Sequence, residues 1–199
     1  MNAANFESAI ASLERFRSKG DTVLSYGLAK TVMGTRGAPT TVQYPENLFD
    51  TAYHNFVSVS STDFQNAIAA LCAWREMRGD LYAGMAAVLH VIRNRVKAGW
   101  FHASVYDNVV AKNQFSSMTV LGDPETVLYP DTTEQQFGFL LEGTERLLAG
   151  EIKDSTNGAT YYGVLDHVRS PWFTTHIAQS EHFERCATIG KTSFFREKI

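Results

Sequence analysis

The sequence predicts an α+β domain, mainly helical with a small antiparallel sheet. Three observations carry this. Two consecutive stretches, residues 62–77 and Asp80 to Gly99, place apolar residues three and four apart. A third such stretch lies between Asp131 and Gly150. Short runs rich in aromatic and β-branched residues follow Asn157-Gly158. Helices gathered before a group of short strands make an α+β pattern.

The elements are justified in chain order. Residues 4–18 carry Phe6, Ile10, Leu13 and Phe16 at helical spacing, with Gly20 as a stop. Residues 33–50 hold Gly34, Gly37, Pro39 and Pro45 and read as a loop or linker. This places a boundary between an N-terminal helical extension and linker, 1–60, and a main domain, 61–199. The helix over 62–77 turns Phe64, Ile68, Leu71 and Trp74 inward, with Thr62 or Asp63 as N-cap. Asp80 caps the next helix, where Leu81, Met85, Val88, Leu89, Ile92 and Val96 form one stripe and Gly99 the end. His90, Arg93, Arg95 and Lys97 fall on its other face. Residues 114–120 look like a strand. Asp131, Thr132 or Thr133 opens a helix with Phe137, Leu140, Leu141, Leu147 and Leu148 facing in, closed by Gly150. Ala159 to Val164 reads as a strand, and Ala187 to Arg196 supplies another.

Composition excludes several classes. The chain has 199 residues, 44% hydrophobic and 20% charged, with net charge −3. Clustered Lys and Arg, which nucleic-acid binding draws on, are absent, so no nucleic-acid partner is expected. No run approaches ~20 apolar residues, so no stable membrane insertion is expected. Met1 to Glu7 lacks a basic and an apolar region, so no classical secretory signal is expected either. Cys72 and Cys186 read as small buried hydrophobes, with a single bridge as the alternative outside the cytoplasm. His167, His176, His182 and Cys186 match no compact zinc spacing, and no phosphate-cradling glycine loop or nucleophile elbow occurs. No metal and no cofactor are therefore expected.

One carboxylate stands out. Glu76 lies in Cys72-Ala73-Trp74-Arg75-Glu76-Met77-Arg78-Gly79-Asp80, at the end of one helix and just before the next. A carboxyl group set against an apolar wall is held neutral by desolvation, as a general acid requires. The alternative is a solvated surface glutamate paired with Arg75 or Arg78.

Around Glu76 the sequence resembles the SleB/CwlJ-type cell-wall hydrolases. The resemblance rests on Arg75 to Asp80, then Gly84-Met85-Ala86-Ala87-Val88 and Ile92-Arg93-Asn94-Arg95-Val96. Gln114-Phe115-Ser116, Gly158-Ala159-Thr160-Tyr161-Tyr162, Trp172, Ile189-Gly190 and Phe194-Phe195-Arg196 follow in the family's order. The family's closing-block His is replaced here by Thr192 or Ser193, depending on register. Residues 1–60 lie outside the resemblance.

The resemblance implies a lysozyme-like fold of the goose-lysozyme and lytic-transglycosylase type, with 61–199 as its catalytic domain. It implies cleavage of the β-1,4 bond between N-acetylmuramic acid and N-acetylglucosamine in peptidoglycan glycan strands, with Glu76 catalytic. Hydrolysis by the usual route needs two carboxylates, about 5–5.5 Å or roughly 6.5–9.5 Å apart. A lytic transglycosylase needs one, because the substrate's own N-acetyl and 6-hydroxyl groups complete the reaction. Asp80 is the only nearby second acid and reads better as a cap, so the one-carboxylate chemistry is favoured and muramidase-type hydrolysis stays open.

By family position Gln114, Ser116, Tyr161, Tyr162 and Trp172 are substrate-binding candidates. Gln114 and Ser116 can equally be ordinary strand polarity, and Trp172 either a sugar platform or core. Tyr161 and Tyr162 point to opposite faces of their strand, and Tyr162 is the one placed to reach Glu76. Asn94 is expected to bond backbone. A non-catalytic wall-binding or virion module and a zinc amidase are the alternative classes. An enzyme of the wall made without a classical signal implies a phage or prophage origin, with release through a holin pore or delivery by a virion.

Overall fold

The computed structural model describes residues 1–10, 29–32, 40–43, 62–120, 123–167 and 170–198. Their architecture is α+β: a mainly helical body with a three-stranded antiparallel sheet on it.

The body is built on two helices, α2 (Thr62–Met77) and α3 (Leu81–Ala98), joined by a 3-10 turn, Arg78–Asp80. Helix α1 covers residues 3–10 of the described chain, and a short antiparallel pair, β1 (Ala29–Val32) and β2 (Thr40–Gln43), precedes α2. In α2 every residue from 66 to 75 is buried. Ala67, Ala69, Ala70 and Ala73 have side chains small enough for neighbours to close in from all sides. In α3, residues 84 to 92 are buried without interruption. A helix wrapped all round belongs to the centre of a core. The expected polar face of α3 is corrected accordingly: His90 and Arg95 are buried, because the sheet and its preceding loop cover that side.

Around this pair lie α4 (Val105–Val110), α5 (Ser116–Thr119), a 3-10 turn (Pro124–Val127) and α6 (Gln135–Ala149). Phe137, Leu140, Leu141 and Leu147 of α6 enter the core, as their spacing predicts. Gly99 and Gly150 close α3 and α6 in the left-handed conformation. From α1, Phe6 and Ile10 are buried, and Phe6 meets Phe137 edge-on at 4.9 Å. Leu13, Phe16 and Gly20, and most of the expected 33–50 linker, lie outside the described residues.

The sheet has order β3-β5-β4, from β3 (Tyr161–Gly163), β4 (Phe183–Ile189) and β5 (Thr192–Glu197). Tyr162 pairs with Phe194 and Gly163 with Ser193. A one-turn helix, α7 (Pro171–Phe173), and a wide turn (Thr174–Ala178) join β3 to β4.

Four sequence expectations are corrected. Residues 40–43 are strand where a loop was expected. Residues 116–119 form a helical turn where a strand was expected. Phe115 and Met118 are the buried apolar pair there, three apart, and the adjacent Ser117 is buried with Met118, which a strand's alternation cannot supply. The single strand expected over 187–196 is two, folded back about Gly190. Asp80 occupies the position before α3 but makes no side-chain cap bond. A Cβ on Gly190 would lie 2.4 Å from Asp80 Oδ1, so the Asp80 carboxylate packs on the β4–β5 turn instead. Gly190 has φ 58° and stands against that carboxylate, a place where only glycine fits.

Candidate active site

Glu76 occupies the last turn of α2 with its side chain half-buried. The chain leaves this helix abruptly. Arg78–Asp80 tighten into a 3-10 turn, and Leu81 has φ 58° and ψ −154°, a conformation that costs a non-glycine residue on the order of 1–3 kcal/mol. Gly84 allows the turn to close: a Cβ there would stand 2.6 Å from Asp80 Cβ and 3.0 Å from the Met77 carbonyl. The pattern Glu76…Gly84 is thus a helix-to-helix corner that leaves a carboxylate at the end of a buried helix.

Two hydroxyls from distant parts of the chain meet that carboxylate. Ser117 Oγ donates to Glu76 Oε1 at 2.5 Å, and Tyr162 Oη donates to Oε2 at 2.6 Å. Desolvation pushes the Tyr162 phenol well above its ordinary range, and the neighbouring Glu76 carboxylate pushes it further. Tyr162 therefore stays a neutral donor.

Two buried arginines place these donors. Arg75, 3% exposed, donates through Nε to the Leu128 carbonyl at 3.0 Å and through Nη1 to the Ser117 carbonyl at 3.2 Å. It ties the Ser117 turn to α2 one residue before Glu76. Arg95, 4% exposed, donates through Nε to the Thr160 carbonyl at 2.7 Å, fixing the strand that carries Tyr162. Its guanidinium lies 4.9 Å from the Phe115 ring centroid, and Phe115 in turn lies 6.5 Å from Tyr162. Burial lowers the pKa of Arg95, with Tyr162, Tyr161, Cys72 and Glu76 opposing. Burial first, then Glu76, pushes the Cys72 thiol well up, leaving it a neutral core side chain. Cys72 and Cys186 are both free thiols.

The solvated pairing of Glu76 with a neighbouring arginine is corrected by these contacts. Arg75 points to backbone carbonyls. Arg78 forms a bidentate pair with Glu125, with Nη2 to Oε1 at 2.9 Å, and covers the Trp74 ring at 4.5 Å.

Of the substrate candidates, Tyr162 is brought onto Glu76. Gln114 and Ser116 are exposed on the same short segment as Ser117, and the side-chain hydrogen bonds to the Glu76 carboxylate come from Ser117 and Tyr162. Tyr161 faces the other side of β3, near Phe101 and Trp172. Trp172 is 53% exposed, which excludes a place in the core. Asn94 donates to the Ala159 carbonyl at 3.0 Å, as expected, and to Asp154 at 2.9 Å. Thr192 and Ser193, standing where the family has its His, are buried on β5. Ser117, Arg75 and Arg95 were not singled out from the sequence. The one available signal was the doubled serine after Phe115, of which the second turns inward.

Among the described residues no three His, Cys, Asp or Glu side chains gather into a metal-binding group, and no helix is long and apolar enough to cross a membrane. A separate groove of about 480 Å³ lies between α3 and α6, lined by Tyr82, Phe139, Glu142, Gly143, Arg146 and Ile152.

An α+β domain that fixes one carboxylate between two hydroxyls at a helix end has the make-up of a proton-transfer site. A family model described as Cell Wall Hydrolase matches residues 79–195, beginning at Gly79, just after Glu76. The chain belongs to this family, the SleB/CwlJ-type cell wall hydrolases, a family of peptidoglycan-degrading enzymes. Comparison with curated proteins gives no match, and comparison with solved structures gives none.

Proposed function

We propose that the chain cleaves the β-1,4 bond between N-acetylmuramic acid and N-acetylglucosamine as a lytic transglycosylase, with Glu76 as general acid and then base. The single observation that carries this reading is the hydroxyl clamp on Glu76. A hydroxyl both donates and accepts. With Glu76 protonated, the Ser117 hydroxyl can turn and accept. Once the proton has gone to the glycosidic oxygen, both hydroxyls donate to the new carboxylate. The clamp thus offers Glu76 a partner in both protonation states.

The two residues clamping Glu76 supply no second carboxylate, and Asp80 turns toward Gly190. That arrangement favours the one-carboxylate route. The substrate's N-acetyl group stabilises the sugar cation, and Glu76 takes a proton from the 6-hydroxyl as the 1,6-anhydro ring closes. A glutamate at the end of the first of two core helices, beside a small antiparallel sheet, also suits the lysozyme-like arrangement that we infer for 61–199.

Purified sacculi test the reading. The parent protein is expected to release anhydro-muropeptides, and Glu76→Gln, nearly isosteric, is expected to release them roughly a thousandfold more slowly while melting as the parent does. Reducing-end muropeptides would replace the transglycosylase with a muramidase. Equal turnover by Glu76→Gln would end the proposal.

A further inference from the structure

Tyr162 serves the Glu76 side of β3, and Tyr161 on the opposite side joins a row of aromatic rings drawn from three parts of the chain. Trp100 and Phe101 follow the left-handed turn that ends α3, and their rings stack at 4.3 Å with 29° between planes. Phe101 lies 5.8 Å from Tyr161, and Tyr161 lies 6.3 Å from Trp172. Trp172 stacks on His176 at 5.4 Å and 13°. The row is open at both ends, where Trp100 and Trp172 are each 53% exposed.

The row is also anchored. The buried Arg95 guanidinium sits 5.1 Å from the Phe101 centroid and 5.6 Å from that of Tyr161, so one fixed cation holds two neighbouring rings. The same side chain ties down the backbone beside Tyr162. Rings held this way keep their planes without a ligand and lose little rotamer freedom on binding one.

We propose that this row, with Trp100 as its outer end, is a platform for a glycan strand that continues from the Glu76 site. The assignment rests on the peptidoglycan reading above. Its occupant follows from the surface. The exposed indoles of Trp100 and Trp172 match the C–H faces of pyranose rings, and a row running from the end of α3 across Tyr161 of β3 to α7 suits a linear polymer. The platform adjoins the site through Arg95, which lies against Tyr161 on one side and against Phe115, the neighbour of Tyr162, on the other. Resemblance to the family suggested Tyr161 and Trp172 as substrate contacts. Trp100, Phe101 and the arginine beneath them come from the geometry.

Equilibrium pelleting of the full chain on purified sacculi tests this, in a Glu76→Gln background so that turnover is not what is read. Trp100→Ala is expected to weaken binding about fivefold, as for an anchoring aromatic worth roughly 1 kcal/mol. Trp100→Phe is expected to restore most of it. Soluble β-1,4-linked N-acetylglucosamine oligomers are expected to compete with the sacculi. Phe139→Ala, an equally exposed ring in the groove between α3 and α6, serves as the control for general stickiness and is expected to change nothing. Unchanged binding by Trp100→Ala would overturn the platform. So would equal weakening by Phe139→Ala, or competition by free stem peptide alone, which would make the row a peptide contact. Thermal melts of each variant separate loss of contact from loss of fold. Parent-level catalysis by Glu76→Gln in the product assay would overturn the acid assignment and leave the pelleting result standing.

Discussion

The carboxylates of Asp154 and Glu76 are both held by hydrogen bonds, and they are held differently. Asp154 receives four donors: the Thr156 amide at 2.7 Å, its hydroxyl at 2.6 Å, the Gly158 amide at 2.8 Å and Asn94 Nδ2 at 2.9 Å. Burial pushes its pKa up, but the bonds from Thr156, Asn94 and Gly158 outweigh that and hold it below the ordinary value. Glu76 meets two hydroxyls. Three of the four donors to Asp154 are N–H groups, which can only donate and would be stranded by a proton on the acid. Hydroxyls can turn and accept. The kind of donor, more than the number of bonds, is what distinguishes the two carboxylates, and the proposed role of Glu76 rests on that difference.

The largest expected effect sharpens this contrast at Glu76. Glu76→Gln is expected to lower turnover on sacculi by roughly a thousandfold, the size of a lost general acid. Asp80→Asn, four residues on, is expected to stay within a fewfold of the parent, because its carboxylate packs on the Gly190 turn. Product release measured side by side checks both. Comparable losses would mean that two carboxylates act, as in a hydrolase.

Asp154 gives the opposite signature. Asp154→Ala strands the amide and hydroxyl of the buried Thr156 and is expected to cost about 2 kcal/mol of stability. Turnover per folded molecule is expected to change far less. Denaturant melts read the first quantity and active-fraction-corrected rates the second. A stable variant with lost turnover would show that Asp154 belongs to the chemistry.

The clamp itself comes next. Tyr162→Phe and Ser117→Ala each remove one donor to a charged oxygen, expected to cost about tenfold in turnover. Tyr162→Phe is expected to keep the parent's melting temperature. Turnover unchanged in both would leave Glu76 without a functional clamp.

The legibility of these parts follows from how local their causes are. The 62–77 and 81–98 helices and the Gly99 stop could be read because apolar period and a left-handed glycine act within a few residues. The alternation in Tyr161-Tyr162 could be read for the same reason, and it put one ring on each side of β3. The family pattern pointed to Glu76. Ser117 could not be found this way: Ser116 and Ser117 look alike in sequence. The position of Ser117 depends on a partner across 42 residues, Arg75, which bonds its carbonyl. The same holds for the 116–119 turn, whose helical twist comes from burying Phe115 and Met118. Arg75 and Arg95 look like surface charge at their helix positions, and their burial depends on loops that arrive much later in the chain.

The smallest expected effect tests the loop carboxylate through its neighbour. His90, 1% exposed, has Nδ1 3.9 Å from Asp154 Oδ1. Burial lowers its pKa from the ordinary 6.5; Asp154 opposes the shift and Arg93 adds to it. A base whose native pKa is depressed binds fewer protons folded than unfolded, so its contribution to stability is complete above 6.5 and declines as pH falls below that. Asp154, held below its ordinary 3.8, contributes fully above 3.8 and loses its contribution as pH falls toward its native value. Acid destabilisation from this pair is therefore expected in two separate windows, His90 first. Denaturant melts between pH 7.5 and pH 4.5 are expected to show a decline in the parent that is shallower in His90→Gln, which has nothing to titrate there. Parallel declines in the two proteins would mean that His90 takes up its proton in the fold, with Asp154 serving as its counter-ion, and the N–H-saturated carboxylate would then be a partner in proton exchange after all.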